Sequence, residues 1–325
     1  MDVLNTLTKR AAEKCPTILF PEGDEPKIAQ AAERLAADGV CKPVIIGDAE
    51  QIAGFGVGTS QLKIVSAADY DAKIDEYAAG LEGPMDMPAR MIAKRMRKKV
   101  LWLACAMVRF GEVDGMVAGL TYSTADVISA GNMVIGLAEG VRIPSSYFLM
   151  DVPTWNGGEE GLVFFSDCGV NVQPSAEELA SIAETTADSA AKLLGWEPRV
   201  AMLSFSTKGS GKGPDATKVV EAFKLVSEER PDLKVDGELQ ADAAIVPEVA
   251  TKKAGEDNVL GGNANVLIFP DLDAGNIGYK LVQRMTGAKA YGPMLQGFAK
   301  PISDLSRGSS VDDIYGVATI VAAQI

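Results

Sequence analysis

The feature that most constrains the fold is an alternation of short apolar runs with helix-period stretches. Thr17-Ile18-Leu19-Phe20 running into Pro21-Glu22-Gly23, then Pro43–Gly47, Leu62–Val65, Asp114–Gly119, Ser146–Val152, Gly161–Ser166, Arg199–Ser206 and Asn265–Pro270, are all too short for helices. Gly and Pro punctuate them, so they read as buried strands. Between them, residues 25–38 carry Ile28, Ala31, Ala32, Leu35 and Ala36 on one face, and Gly39 supplies a stop. Residues 2–14, 175–195 and 215–230 also read as helices, the second starting at Ser175 with Glu177 and Glu178 in its first turn. Strands alternating with helices predict parallel sheet covered on both faces, an α/β fold. At 325 residues, with 47% hydrophobic side chains and 33 glycines, the chain is long enough for about two such domains. The pattern restarts near residues 140–145.

Several segments are less decided. Residues 86–110 read as one long helix carrying Arg90, Lys94, Arg95, Arg97, Lys98 and Lys99, better explained as a solvated face than as an anion site. Pro153–Gly161 reads as a hairpin-like link. Val235–Ala244 reads as a strand-to-helix corner on which Glu238 and Asp242 stand four apart. Asp271–Asn276 is an exit loop before a helix to about Thr286, and Tyr291–Gly297 a tight turn or short strand.

Charge and composition exclude whole function classes. A net charge of −13 argues against nonspecific binding to nucleic acid or to an acidic membrane surface. No apolar run reaches the roughly 18–20 residues that span a bilayer, and residues 1–14 have polar groups throughout, so no signal peptide is read. Cys15, Cys41, Cys105 and Cys168 stand far apart with no metal-like spacing and read as buried free thiols in a reducing, cytoplasmic compartment. The chain has no histidine. That removes Ser-His-Asp and Cys-His catalysis and His-ligated metals, and leaves a base to Asp, Glu, Lys, Tyr or Cys.

Three stretches carry chemistry. Asp304-Leu305-Ser306-Arg307-Gly308-Ser309-Ser310-Val311-Asp312-Asp313-Ile314 is a polar loop feeding an apolar helix to Ile325. Ser310 fits an N-cap and Asp313 the partner of a capping box. A helix start offers free N–H groups, and the Arg307 fork beside it matches phosphate or carboxylate geometry. The plainer alternative is that Asp313 only caps and Arg307 only pairs with Asp304. The loop Leu120–Asp126 follows a strand, where open α/β sheets bind ligands, with Ser123 or Thr124 as the cap of a helix to about Leu137. Thr207–Pro214 has glycines, hydroxyls and lysines but neither the Walker nor the dinucleotide spacing; anion contact and a mobile surface loop weigh equally.

Met202–Ser210, Asp236-Gly237-Glu238-Leu239-Gln240, Phe269–Lys280 and Asp304–Ile314, in that order, closely resemble the phosphate acetyltransferase family; Pro21-Glu22-Gly23 and Asp114–Gly119 fit as well. The resemblance covers most of the chain. It implies two α/β domains, three-layer sandwiches of the isocitrate/isopropylmalate dehydrogenase-like kind, with residues 1–141 plus 294–325 in one domain and 142–293 in a second, dimer-forming one. It implies reversible transfer of acetyl between CoA and inorganic phosphate, with acetyl-CoA, phosphate and acetyl phosphate as small-molecule substrates and no separate cofactor or metal. It places Ser306, Arg307 and Asp313 in catalysis and Ser123, Thr124, Lys208, Gly209, Asn276, Lys280 and Tyr291 in substrate binding.

The chain also departs from that family. A basic Arg-Lys-x-Lys-Gly segment common before the long helix is missing from Tyr77–Gly83, Ser129 stands where an arginine is frequent, and Ser309 where a cysteine is. Arg90, Arg142 and Lys280 are the candidates to hold the anion instead. A thiol near pKa 8.5 facing a carboxylate base near 4 makes full proton transfer uphill by about 6 kcal/mol. The proton then moves as sulfur attacks, or desolvation raises the base. Direct attack in a ternary complex needs no acyl-enzyme. A butyryl-type acyltransferase, a dehydrogenase on the related fold and an inactive acyl-CoA-binding regulatory module are the alternatives.

Overall fold

The structure, a computed structural model, describes residues 3–255 and 258–325. Residue 2 of the first predicted helix lies outside the described residues. The chain forms two compact units, one comprising the chain up to Glu139 together with Phe298–Ile325, the other Gly140–Gly297.

In the first unit the strands are β1 (Thr17–Phe20), β2 (Lys42–Ile46), β3 (Lys63–Val65), β4 (Gly115–Ala118) and, from the far end of the chain, β11 (Ile302–Asp304). They form a wholly parallel sheet in the order β11-β4-β1-β2-β3. The helices are α1 (Val3–Lys14), α2 (Pro26–Ala37), α3 (Ala49–Gly54), α4 (Asp71–Met85), α5 (Ala89–Lys98), α6 (Val100–Arg109), α7 (Thr124–Ala130) and α13 (Val311–Ala323). The apolar stripe of α2 is buried as its spacing requires, Pro26 opens it, and Gly39 at φ +67° turns the chain after it. Helix α13 is apolar all round because it packs on α1, α2 and β4, burying every residue from Ile314 to Ala323. Each branched side chain so buried contributes about 1.5–3 kcal/mol.

Three expectations change here. The single helix predicted over 86–110 is two, α5 and α6, broken where Lys99 takes an extended conformation, and α4 precedes them unforeseen. Strand β3 is a half-exposed edge rather than a buried strand. Asp304 ends a strand instead of opening a loop: Ile302-Ser303-Asp304 is extended because β4 pairs with it.

The second unit has β5 (Ser145–Asp151), β6 (Leu162–Ser166), β7 (Arg199–Leu203), β8 (Lys234–Leu239), β9 (Val266–Ile268) and β10 (Lys289–Gln296), ordered β10-β5-β6-β9-β7-β8. Its helices are α8 (Ala176–Leu194), α9 (Pro214–Glu229), α10 (Ala241–Ile245), α11 (Pro247–Ala254) and α12 (Leu272–Thr286). The sheet is mixed. The tight link 153–161 makes β5 and β6 antiparallel, and β10 adds antiparallel to β5, while β6, β9, β7 and β8 run parallel. Phe148, Met150, Phe165, Leu203 and Leu239 are among the residues of its core. Cys41, Cys105 and Cys168 are buried free thiols; Cys15 is only half-buried. Among the described residues no helix is long and apolar enough to cross a membrane.

Candidate active site

In the first unit the carboxyl ends of β11, β4 and β1 lie side by side, ending at Asp304, Ala118 and Phe20. Three loops leave this edge, and the chemistry-bearing residues are on them. After β11 the chain makes a tight turn, Ser309 N–H donating to Ser306 O at 2.9 Å. Lys27 of α2 pins that turn, its Nζ donating to Ser309 O at 2.9 Å. Ser306 and Arg307 are exposed at its tip. Arg307 makes no ion pair or hydrogen bond among the described residues, so the plainer alternative of a pairing with Asp304 does not occur. Its fork stands free, three residues before the N-cap of α13.

Ser310 and Asp313 form the capping box read from their spacing. Asp313 N–H donates to Ser310 Oγ at 3.2 Å, and Asp313 Oδ2 accepts from Ser310 N and Oγ, each at 2.8 Å. The other carboxylate oxygen of Asp313 has no hydrogen-bond partner among the described residues and the side chain is exposed. Asp313 therefore both caps the helix and keeps an acceptor free for a proton.

After β4 the chain enters the loop 119–123. Ser123 is the N-cap of α7, its Oγ donating to Asp126 Oδ2 at 2.6 Å in a second capping box. The helix predicted to reach Leu137 is regular only to Ala130 and ends in a wider π turn, Gly131–Ile135. Two residues organise this loop to which the sequence assigns no such role. Glu22, beyond the end of β1 and 2% exposed, accepts N–H bonds from Gly119 (2.8 Å), Leu120 (3.2 Å), Thr121 (2.5 Å) and Tyr122 (3.1 Å), and the Thr121 hydroxyl at 2.7 Å. On the other side, Asp304 accepts from Thr124 Oγ1 at 2.5 Å. In the sequence Glu22 shows only as an acid between a buried strand and a glycine, within the Pro21-Glu22-Gly23 turn that fits the family.

A cavity of about 590 Å³ opens at the carboxyl ends of β1, β2 and β3, lined by Pro21, Gly47, Ser66, Tyr122, Asp24 and Asp48 among others. No lysine or arginine lines it, so it is not an anion cradle.

The second-unit candidates are more engaged than expected. Lys208 Nζ forms an ion pair with Asp236, donates to Gly237 O at 3.2 Å and sits 5.2 Å above the Phe223 ring. Gly209, at φ +84°, donates its N–H to Glu238 Oε1 at 2.7 Å, and Ser206 Oγ donates to the same oxygen at 2.7 Å. Burial works to raise the Glu238 carboxyl, but the Gly209 and Ser206 hydrogen bonds overcome it and hold it below its ordinary value. Glu238 thus fastens the 206–209 loop and is more than a polar corner. Asn276 Nδ2 donates to Cys168 O at 3.1 Å, Lys280 Nζ lies 5.7 Å from the centre of the Tyr279 ring, and Tyr291 is half-buried in β10 opposite Leu149. Of the proposed substitutes for the missing arginines, Arg142 is taken by Glu229 at 2.6 Å. Arg90 is exposed and unpaired among the described residues.

The class defined by these features is an α/β protein with an unpaired guanidinium, an exposed carboxylate and hydroxyls gathered at the carboxyl edge of a parallel sheet. Comparison with known proteins makes this particular. The family model "Phosphate acetyl/butaryl transferase" matches residues 2–322, and the chain belongs to that family. It is 44% identical over 330 residues to the phosphate acetyltransferase of Clostridium acetobutylicum, covering 100% of this chain and 98% of that one. It is 40% identical over 327 residues to the phosphate acetyltransferase of Bacillus subtilis, covering 99% of each. A crystal structure of a phosphotransacetylase from Streptococcus pyogenes superposes with a TM-score of 0.91 at 40% identity, covering 99% of this chain and 97% of that one.

Proposed function

We propose that Arg307, Ser306 and Asp313 carry out the reaction that makes this chain a phosphate acetyltransferase: acetyl-CoA + phosphate = acetyl phosphate + CoA. The observation that carries the assignment of roles is the unpaired Arg307 fork beside the start of α13, in a chain whose full-length relatives bear that name. In the direction of thioester formation the CoA sulfur attacks the acetyl carbonyl and a carbon–sulfur bond forms. The carbon–oxygen bond to phosphate breaks, and phosphate leaves with the bond's electron pair. Asp313 takes the thiol proton on its free oxygen as sulfur attacks. Arg307 neutralises the phosphoryl oxygens, and the Ser306 hydroxyl donates to the developing oxyanion. Both substrates are held together, so no acyl-enzyme forms and no cofactor beyond the substrates is required.

Arg307→Lys keeps the charge and loses the fork. Turnover in a phosphate-dependent CoA-release assay is expected to fall at least about tenfold, in line with loss of one transition-state donor. Wild-type turnover in this variant refutes the role. Running the assay with acetyl- and butyryl-CoA in parallel decides acyl preference, with acetyl expected to be the faster.

The two α/β units are read as the isocitrate/isopropylmalate dehydrogenase-like architecture, the second being the dimer-forming one, in a cytoplasmic enzyme whose thiols stay reduced. Ile277, Leu281 and Met285 support the dimer reading. They recur every fourth residue along α12 and are 56%, 54% and 80% exposed, an unpartnered stripe that a second copy would cover. Leu281→Lys with Met285→Glu is expected to weaken self-association at least about a hundredfold, because each change acts twice in a two-fold interface. Light scattering on the eluted protein reads this; an unchanged mass refutes it.

A further inference from the structure

Beyond the transfer chemistry, the structure holds a buried acid that touches the substrate loop. Asp304 is 1% exposed. Its Oδ2 accepts from Thr124 Oγ1 at 2.5 Å, and its Oδ1 has no hydrogen-bond partner among the described residues. Gly119, at φ +115°, is so near that a Cβ there would stand 2.0 Å from Oδ1. No cation attends this carboxyl among the described residues. Neighbouring β4 carries only Gly115, Met116, Val117 and Ala118. On α7, Asp126 is occupied by Ser123; on α13, Asp313 is occupied by Ser310 and Asp312 by Arg34. The charge that faces Asp304 is the Glu22 carboxylate across the loop. Burial, first, and Glu22 push the Asp304 carboxyl up to about 6, against the smaller downward pull of the Thr124 hydroxyl and the nearby Leu305 N–H.

We propose that Asp304 is a positioning residue whose protonation decides which way the Thr124 hydroxyl points its hydrogen. Ionised, Asp304 claims that hydrogen, and Thr124 offers a substrate only lone pairs. Protonated, with one proton taken from solvent, the Asp304 O–H donates to Thr124 Oγ1, and the Thr124 hydrogen is freed to donate. Phosphate, acyl-phosphate and acyl-carbonyl oxygens are all acceptors, so the protonated form is the one that binds them better. Nothing else changes hands, and the effect is on substrate affinity rather than on the chemical step. The proposal deepens the acetyl-transfer reading and rests on it, with 119–124 as a substrate loop.

Asp304→Asn is the test, since an amide can donate to Thr124 at every pH. The KM for phosphate and the kcat of wild type and variant are measured from pH 5.0 to 8.0. Ionisation of phosphate affects both proteins alike, so the ratio of their KM values isolates Asp304. That ratio (wild type over variant) is expected to rise about fivefold through pH 6, the worth of one neutral hydrogen bond, with the kcat ratio flat. Thr124→Val, measured alongside, is expected to lack the step and to show a KM about fivefold above wild type at pH 5.5. A flat KM ratio, or a step in kcat instead, overturns the proposal, as does a step that survives in Thr124→Val. Should Asp304→Asn not fold, Thr124→Val alone decides between these outcomes. Absence of any phosphate-dependent turnover in wild type is a different failure, that of the acetyl-transfer reading.

Discussion

Replacing Asp313 by Asn is expected to lower the turnover of acetyl transfer by about 10²–10⁴-fold, the range supplied by a positioned general base, with little change in stability. The two effects separate because the two oxygens of Asp313 have different tasks. One accepts from Ser310 N and Ser310 Oγ and closes the capping box of α13. An asparagine carbonyl oxygen can take over that task, so the helix start loses at most about 1 kcal/mol, the typical value of a cap. The other oxygen has no partner among the described residues, and on the proposed mechanism it receives the thiol proton, which an amide cannot do. Turnover by thiol release and unfolding by denaturant, on the same preparation, check this. A variant with turnover near wild type, or one that loses turnover only because it unfolds, contradicts it.

Glu22→Leu is expected to be the most damaging single change to the fold near the site. Among the described residues, the carboxylate of Glu22 is the sole acceptor for the Gly119, Leu120, Thr121 and Tyr122 N–H groups. Gly119 and Leu120 are buried, and a buried N–H without a partner costs about 1–3 kcal/mol. Two of them give roughly 2–6 kcal/mol, while Thr121 and Tyr122 can regain water. Against a domain stability of about 5–15 kcal/mol, this brings the first unit near unfolding in mild denaturant. Glu22→Gln, nearly the same shape, keeps one acceptor but turns an NH2 toward N–H donors, and is expected to lose roughly half as much. Denaturant midpoints of the two variants, compared with wild type, read the ranking. Equal midpoints for Leu, Gln and wild type would mean that the 119–122 loop does not depend on Glu22.

Local rules made part of this molecule legible in the sequence. The capping box at Ser310 and Asp313 follows from two side chains three residues apart, as do those at Ser123 and Ser175. Strand and helix alternation fixed β1, α2, β2 and β4 closely because apolar spacing is set by burial on a nearby surface. What stayed hidden depends on partners far along the chain. Glu22 meets its donors 97 to 100 residues away, so no window of sequence holds both. Asp304 sits beside Arg307 in the chain, yet its partner is Thr124, 180 residues earlier. Ile302-Ser303-Asp304 has no strand pattern and is a strand only because β4 lies next to it. The glycines and hydroxyls around Lys208 leave anion contact and a mobile loop equally open, but parallel pairing of β7 with β8 brings Asp236 within its reach. The break at Lys99 turns one basic helix into two, and of its charges Arg97 goes to Asp71 and Asp75.

The family departures bear on the same point. Tyr77 stands in the segment where basic residues were expected; it is buried and stacks on Phe110 at 4.9 Å. That segment lies within α4, where Tyr77, Ala78 and Leu81 are buried and contribute packing. On the proposed mechanism Arg307 is left to carry more of the anion recognition, with Arg90 the remaining unpaired candidate among the described residues.

The central claim is that the purified chain moves acetyl between CoA sulfur and phosphate oxygen. It is tested by incubating the wild-type protein with acetyl-CoA, with and without inorganic phosphate, and measuring free thiol and acetyl phosphate together. The account predicts that both appear only with phosphate, in equal amounts. Thiol release that ignores phosphate, or no release at all, contradicts it.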